Sequence, residues 1–343
     1  MTSELRICPE TTRVAWNRWD FRERLIRTQI DLKHCQFNGA RMKAAGQISL
    51  PFTQKIGDYF SITKPAIASL NVFVGVATML LAAGFYQLSA LSLVLLILAG
   101  FLSAGGAGAL NCFLERQIDS RMNRTRDRAV PSGRISSKGA LAMGLGFSIG
   151  GVALATLLNE LTAAFIGVGV FWYVLVYTLW LKPRTKWNIV IGGAAGSFSA
   201  LAGWAAVTGS ISLTAFLVAL LIFLWTPGHF WGLAMAKADE YASANVPMLP
   251  VIEGTQRSAI YTAVSNIVLF PFTIGLFALA ASGTDYLALI ILGTALIVFN
   301  ARFLFANIRM LKNPIPMNAW RVFKMSISYL FVILLIVVAA HIV

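Results

Sequence analysis

Residues 88–119 read LSALSLVLLILAGFLSAGGAGALNCFLERQID, an uncharged run from Leu88 to Leu114 that closes on Asn111, Glu115 and Asp119. A helix needs roughly 20 apolar residues to cross a hydrocarbon core of about 30 Å, so this stretch reads as a spanning helix and decides the class of protein. At its polar end the three residues recur at i, i+4 and i+8, a drift of only about 40° per step on a helix. One amide and two carboxylates therefore share a face at the membrane boundary, just before an arginine-rich run. Mg²⁺ takes oxygen ligands and commonly shares one or two carboxylates with substrate phosphates, so this end reads as a metal–diphosphate site serving transfer chemistry.

The rest of the chain repeats the apolar pattern. Mean hydropathy is +0.72, with 57% hydrophobic and 12% charged residues over 343 positions, which excludes an ordinary soluble protein. Spans are expected near 66–84, 88–111, 139–158, 161–181, 190–209, 213–233, 259–280, 286–306 and 325–343. The expected fold is an all-α polytopic membrane protein, a bundle of about nine transmembrane helices. Lys and Arg concentrate in the connections Arg116 to Lys138, Lys182 to Lys186, Lys237 to Arg257 and Arg302 to Lys324, and are absent around Gln87, Glu160, Gly209 and Asp285. The positive-inside rule then puts the N-terminus in the cytoplasm and the C-terminus outside. Topology, anionic lipid and a diphosphate account for the formal charge of +14 without nucleic acid.

Residues 1–55 form a polar, basic segment ahead of a transmembrane domain at 56–343. Transit peptides avoid acids, whereas Glu4, Glu10, Asp20, Glu23 and Asp31 are interspersed here, so a cytoplasmic extension is expected, and with it a bacterial inner membrane rather than a mitochondrial one. Cys8, Cys35 and Cys112 lack metal-like spacing and are expected to be free thiols; the three histidines are too dispersed for a zinc site.

Three clusters carry chemistry. Asn111, Glu115 and Asp119 are followed by Arg121, Arg124, Arg126 and Arg128 and by Val130-Pro-Ser-Gly-Arg134. An ordinary basic loop explains the arginines but not the amide and acids in helical register. Tyr177-Thr-Leu-Trp-Leu-Lys182-Pro-Arg184 is a second basic group that doubles as an aromatic belt with positive-inside anchors, and Lys64 precedes Pro65 at the first span. The third runs Trp225-Thr-Pro-Gly-His229-Phe-Trp, then Asp239, Glu240, Tyr241 and Pro247-Met-Leu-Pro250. A histidine inside an apolar span is costly unless paired, by packing or by function. Asp239 and Glu240 fall on the same side of the membrane as Glu115 and Asp119, where they are expected to complete a metal site from the opposite side of the bundle.

From about Thr63 to Val343 these residues resemble the UbiA superfamily of intramembrane prenyltransferases, through the Asn-x3-acid-x3-Asp motif. Within it they look like the haem O synthase (protohaem IX farnesyltransferase) branch. The narrower likeness rests on the Arg-Thr-x2-Arg core, Tyr177-Thr-x2-Leu-Lys, Asn188-Ile-Val-Ile-Gly-Gly-Ala-Ala-Gly, Gly203-Trp204, Trp225-Thr-Pro-x-His-Phe-Trp, and Asp239-x-Tyr241 with Pro247-Met-Leu-Pro. The resemblance implies Mg²⁺ held by Asn111, Glu115, Asp119 and Asp239, with Glu240 beside it. It implies phosphate binding by Lys64, Arg124, Arg128, Lys182 and Arg184, and aromatic shielding of an allylic cation by Trp225 or Tyr177 next to His229. The implied substrates are farnesyl diphosphate and haem B in the lipid bilayer, with haem A synthase or oxidase assembly factors as partners.

The chain also departs from the family pattern. Ser199-Ala200 stands where a Pro-Pro pair is usual before Gly-Trp, Pro227-Gly228-His229 where Pro-Pro-His is usual, Lys182-Pro183-Arg184 in place of Lys-Arg-Arg, and Ser243 where an Asp-x3-Asp would close. These changes leave open another acceptor, such as a quinone precursor or another tetrapyrrole, and a transporter or haem-delivery protein is the reading from a different class.

Overall fold

The computed structural model describes residues 52–84 and 88–343, which are helical apart from turns and short connections. A short helix α1 (Phe52–Ile62) leads into α2 (Pro65–Ala83), α3 (Ala90–Leu114), α4 (Ser137–Ala155), α5 (Glu160–Leu181), α6 (Asn188–Thr208), α7 (Leu213–Ala236), α8 (Leu249–Ala280), α9 (Tyr286–Lys312) and α10 (Pro316–Ile342). Helices α2 to α10 are the nine, among the described residues, long and apolar enough to cross a membrane. Cys8, Cys35 and the expected extension up to residue 51 lie outside the described residues, and α1 runs through the expected boundary at 55/56.

Local chemistry sets the ends. Ser89, Ser136, Asn159 and Ser212 each accept a backbone N–H in the first turn of α3, α4, α5 and α7, and Asp285 does so for α9. Gly209 closes α6 in the left-handed conformation at φ 62°, which costs glycine nothing. Where hydrocarbon surrounds the chain, only internal hydrogen bonding satisfies the backbone, hence continuous helices.

Helix ends differ from the apolar limits. The stretch from Arg302 to Lys324, expected as a connection, is helical except around 313–315, because α9 runs on to Lys312 and α10 already starts at Pro316. Apolarity marks where lipid begins, while the hydrogen-bond ladder continues into polar sequence until a cap or proline stops it. Leu249 opens α8 earlier than the expected residue 259, but Gly254 at φ 79° breaks the ladder, so the apolar span follows that kink.

Small residues bring the helices together. A Cβ on Gly203 would lie 1.9 Å from the Gly75 carbonyl oxygen, so α2 and α6 cross backbone to backbone. Gly106, Gly144 and Gly151 do the same for α3 and α4, the close approach that drives packing where lipid offers no hydrophobic contrast. The largest core is built by α7, α8, α9 and α10 around Trp225, Leu269, Phe303 and Tyr329, with Val74, Ala77 and Leu81 of α2 and Ala200 of α6 joining it, while Leu91, Ile149, Phe216 and Ile291 are left exposed as a lipid-facing surface requires. On the other side α2, α3, α5, α6 and α7 enclose a mostly apolar cavity with Lys64 and Tyr177 among its lining residues.

Candidate active site

The helical register expected for Asn111, Glu115 and Asp119 is present. Glu115 N–H donates to the Asn111 carbonyl at 2.9 Å and Asp119 N–H to the Glu115 carbonyl at 2.7 Å, so the turns continue past the end of α3 into Arg116–Asp119. All three side chains are buried, and each gives its oxygen to a cation from elsewhere in the chain. Lys64 Nζ donates to Asn111 Oδ1, Lys182 Nζ to Glu115 Oε1 at 2.5 Å, and Arg128 Nη1 to Asp119 Oδ2 at 3.0 Å. Burial alone opposes the charge on Glu115, but Lys182 and Lys64 outweigh it and hold the carboxyl below its ordinary value. By the same pairing Glu115 holds Lys182 above the usual lysine range against the cost of burial.

The backbone around the cations is unusual. Lys64 sits at φ 52°, ψ 60°, left-handed for a residue with a side chain, directly before Pro65 opens α2. Such strain persists only where surrounding contacts impose it, and here it delivers the ammonium group to Asn111. The last ten residues of α5, Trp172–Leu181, are π-helical, and Lys182 N–H closes the final i→i+5 bond to Tyr177 at 2.9 Å. Tyr177 and Thr178 lie on that wider turn, with the Tyr177 ring 6.0 Å from Lys182 Nζ. Gly192 makes room for the tyrosine, since a Cβ there would meet the ring at 2.3 Å.

The second acidic pair divides. Glu240 accepts the Arg124 backbone N–H at 3.3 Å and pairs with Lys237 at 3.2 Å, which ties the turn Ala238–Ser243 to the loop of the first cluster. Asp239, its neighbour on that turn, is exposed. Arg184 does not join the acids: its guanidinium donates to the Leu179 and Trp180 carbonyls and caps the end of α5. Sequence reasoning gave no role to Thr178, whose hydroxyl accepts from Asn111 Nδ2 at 2.9 Å, although it lies inside a quoted motif. It also missed Asp58, which takes Arg134 Nε at 3.0 and 3.1 Å and anchors the basic loop to α1, because a lone acid in a polar stretch carries no pattern.

His229 and Trp225 line the cavity from α7. Trp225 Nε1 donates to the Ser326 carbonyl, and the Ser326 hydroxyl donates to the Phe323 carbonyl at 2.7 Å. With its proton committed, Ser326 Oγ accepts from His229 Nδ1 at 2.6 Å, which leaves the lone pair on Nε2. The imidazole is held between Trp225 and Phe323, at ring-centre distances of 4.2 and 4.6 Å.

Residues 71–330 match the model of the UbiA prenyltransferase family. The chain belongs to that family. It is an integral membrane prenyltransferase. A protohaem IX farnesyltransferase of Sulfurisphaera tokodaii is 41% identical over 293 residues, 84% of this chain and 94% of the relative. Among solved structures, one reported for digeranylgeranylglyceryl phosphate synthase superposes with a TM-score of 0.67 at 17% identity, covering 84% of this chain and 99% of the other. A UbiA homologue from Archaeoglobus fulgidus bound to DMAPP and Mg²⁺ gives 0.61 at 16% identity, over 81% of this chain and 99% of the other. In UbiA terms the all-α bundle of α2 to α10 is the family fold, and the expectation of that fold is met.

Proposed function

We propose that this prenyltransferase moves a farnesyl group from farnesyl diphosphate to a vinyl group of haem B and forms haem O. The observation that carries the reading is the ladder Asn111, Glu115, Asp119, with each oxygen paired to Lys64, Lys182 or Arg128 beside an apolar cavity. The sequence likeness to proteins named protohaem IX farnesyltransferase supplies the acceptor.

The donor set fits Mg²⁺. Among the described residues no three His, Cys, Asp or Glu side chains group as a metal site of their own, and Mg²⁺ needs only one or two carboxylates when substrate phosphates complete its shell. Asn111, Glu115 and Asp119 are the ligands we assign, with Glu240 rather than exposed Asp239 nearer the first cluster. Bound there, Mg²⁺ supplies charge neutralisation for the departing diphosphate. Lys182 and Arg128 turn from carboxylate, and Lys64 from the Asn111 amide, to phosphate as substrate arrives, each keeping a charge-assisted hydrogen bond, and Arg124 joins them from the same loop. The C1–O bond of the farnesyl group breaks with its electron pair leaving on diphosphate. The Tyr177 and Trp225 faces shield the allylic cation from water. Its C1 bonds to the terminal vinyl carbon, and water adds to the cation left on the inner carbon, losing a proton. His229, which lines the cavity, is the side chain we assign to take that proton through Nε2. The Lys- and Arg-rich ends face the cytoplasm of a bacterial inner membrane in this reading.

One observation favours a different acceptor. Ser199 Oγ donates to Asn71 Oδ1 at 3.0 Å, and both residues line the cavity, so a polar pair stands where a proline is usual. The test is mass spectrometry of haems from a haem O-deficient strain expressing wild type or Asp119→Ala, with EDTA added to isolated membranes. Haem O that needs Asp119, is lost with EDTA and returns with Mg²⁺ is expected. A prenylated acceptor other than haem would overturn the reading.

A further inference from the structure

The helical turns that extend α9 and α10 beyond their apolar cores create a second basic site, built on the same turns of α10 as Phe323 and Ser326, which meet His229. Between α9 and α10 lies an open groove walled by Arg302, Arg309, Arg321 and Lys324, with Phe305 and Met325 beside them. On α9, Arg302, Phe305 and Arg309 recur at i, i+3 and i+7, one face of the helix. Antiparallel geometry layers the cations. Arg302 is ten residues before the end of α9 and Lys324 eight after the start of α10, so they form a deep pair, while Arg309 and Arg321 sit nearer the connecting turn.

Topology explains a cation at a helix end but not four facing one groove. Arg302 lies about 15 Å along the helix from the end of α9, well inside its apolar stretch, where an unneutralised charge is expensive. Among the described residues none of the four has an acidic partner. Arg321 has only Asn318 Oδ1, at 3.5 Å. From residue 254 to the end the chain holds a single acid, Asp285. It caps the opposite end of α9, about 25 Å from Arg302 at 1.5 Å per residue. Among the described residues the four cations line one groove without a counter-charge, which suits an anion bound there, and the apolar side chains among them suit one that is amphipathic.

We propose that this groove holds an anionic phospholipid, its phosphate taken by Arg302, Arg309, Arg321 and Lys324 and its acyl chains lying along Phe305 and Met325. The lipid braces α10, the helix whose Phe323 and Ser326 hold His229. The full chain is to be purified in neutral detergent, offered vesicles of phosphatidylcholine with or without phosphatidylglycerol, and retained lipid counted by native mass spectrometry. Wild type retains phosphatidylglycerol over phosphatidylcholine. Arg302→Gln with Lys324→Gln lowers that retention roughly 25-fold, at about a factor of five per cation. The charge-preserving pair Arg302→Lys with Lys324→Arg keeps most of it, which separates lost binding from lost folding. Lys55→Gln with Lys138→Gln, neutralising exposed lysines elsewhere, leaves it unchanged. Equal retention by the Gln pair and wild type, or an equal loss in the Lys55 and Lys138 control, overturns the proposal. So does displacement by millimolar inorganic phosphate, which would make free phosphate the ligand, or an acidic protein co-purifying in place of lipid.

Discussion

Lys182 reaches from the π-helical end of α5 to Glu115 at the end of α3 and donates to its Oε1 at 2.5 Å. Glu115 is 4% exposed, so neither charge is well solvated without the other. Removing one member of such a pair strands the other, at about 3–5 kcal/mol. Lys182→Ala is expected to lower unfolding stability in detergent by that order, and adding Glu115→Gln should recover most of it. A single variant as stable as wild type would show that the pair is open to water.

The same pair sets a pH window. Glu115 is held below its ordinary value of 4.5, so its contribution is complete above that value and is lost as pH falls through the lower, folded value. Lys182 is raised above 10.5, and its contribution is complete below that value and lost only as pH climbs through the folded one. The melting temperature should thus hold steady from about pH 5 to about pH 9 as far as this pair is concerned, with its loss confined to more acid or strongly alkaline solution. A Glu115-dependent fall between pH 7 and pH 5, absent from Glu115→Gln, would contradict the depressed carboxyl.

Arg128 pairs with Asp119 in the substrate-free chain and is assigned to phosphate when substrate is bound. Charged hydrogen bonds contribute about 1.5–3 kcal/mol, so Arg128→Gln should raise KM for the prenyl diphosphate roughly 10- to 100-fold. Steady-state kinetics with varied prenyl diphosphate decides this, and an unaltered KM would assign Arg128 to Asp119 alone.

Gly228 gives way to Asn266, whose Oδ1 would lie 2.0 Å from a Cβ at position 228. Gly228→Ala should therefore cost about 1–3 kcal/mol through overpacking. Asn266→Ala should restore much of that loss, although it gives up the hydrogen bond to Asn307. Additive effects in the double-mutant cycle would refute the coupling.

In the proposed reaction Ser326 acts through His229, whose Nδ1 it meets at 2.6 Å. Ser326→Ala should lower kcat by about tenfold or more while leaving KM for the prenyl diphosphate alone, and Ser326→Thr should retain the hydroxyl and most of the rate. An equal loss in both variants would point to packing instead.

The sequence alone determined the class of fold and the shared helical face of Asn111, Glu115 and Asp119. Spanning helices follow from uncharged runs such as Leu88 to Leu114, because hydrocarbon leaves the backbone no other way to satisfy its hydrogen bonds. Asn111, Glu115 and Asp119 were legible for a related reason, since a local helical period puts them on one face whatever the rest of the chain does. Only the tertiary structure decided which cation meets which oxygen, that Glu240 rather than Asp239 contacts the first cluster, and that Arg184 caps a helix. Those pairings join residues as far apart as 116 positions, and their geometry depends on a π-helical turn and a left-handed lysine. Helix periodicity has a range of a few turns, whereas contacts between distant segments are set by how the helices pack, through close crossings such as Gly75 on Gly203.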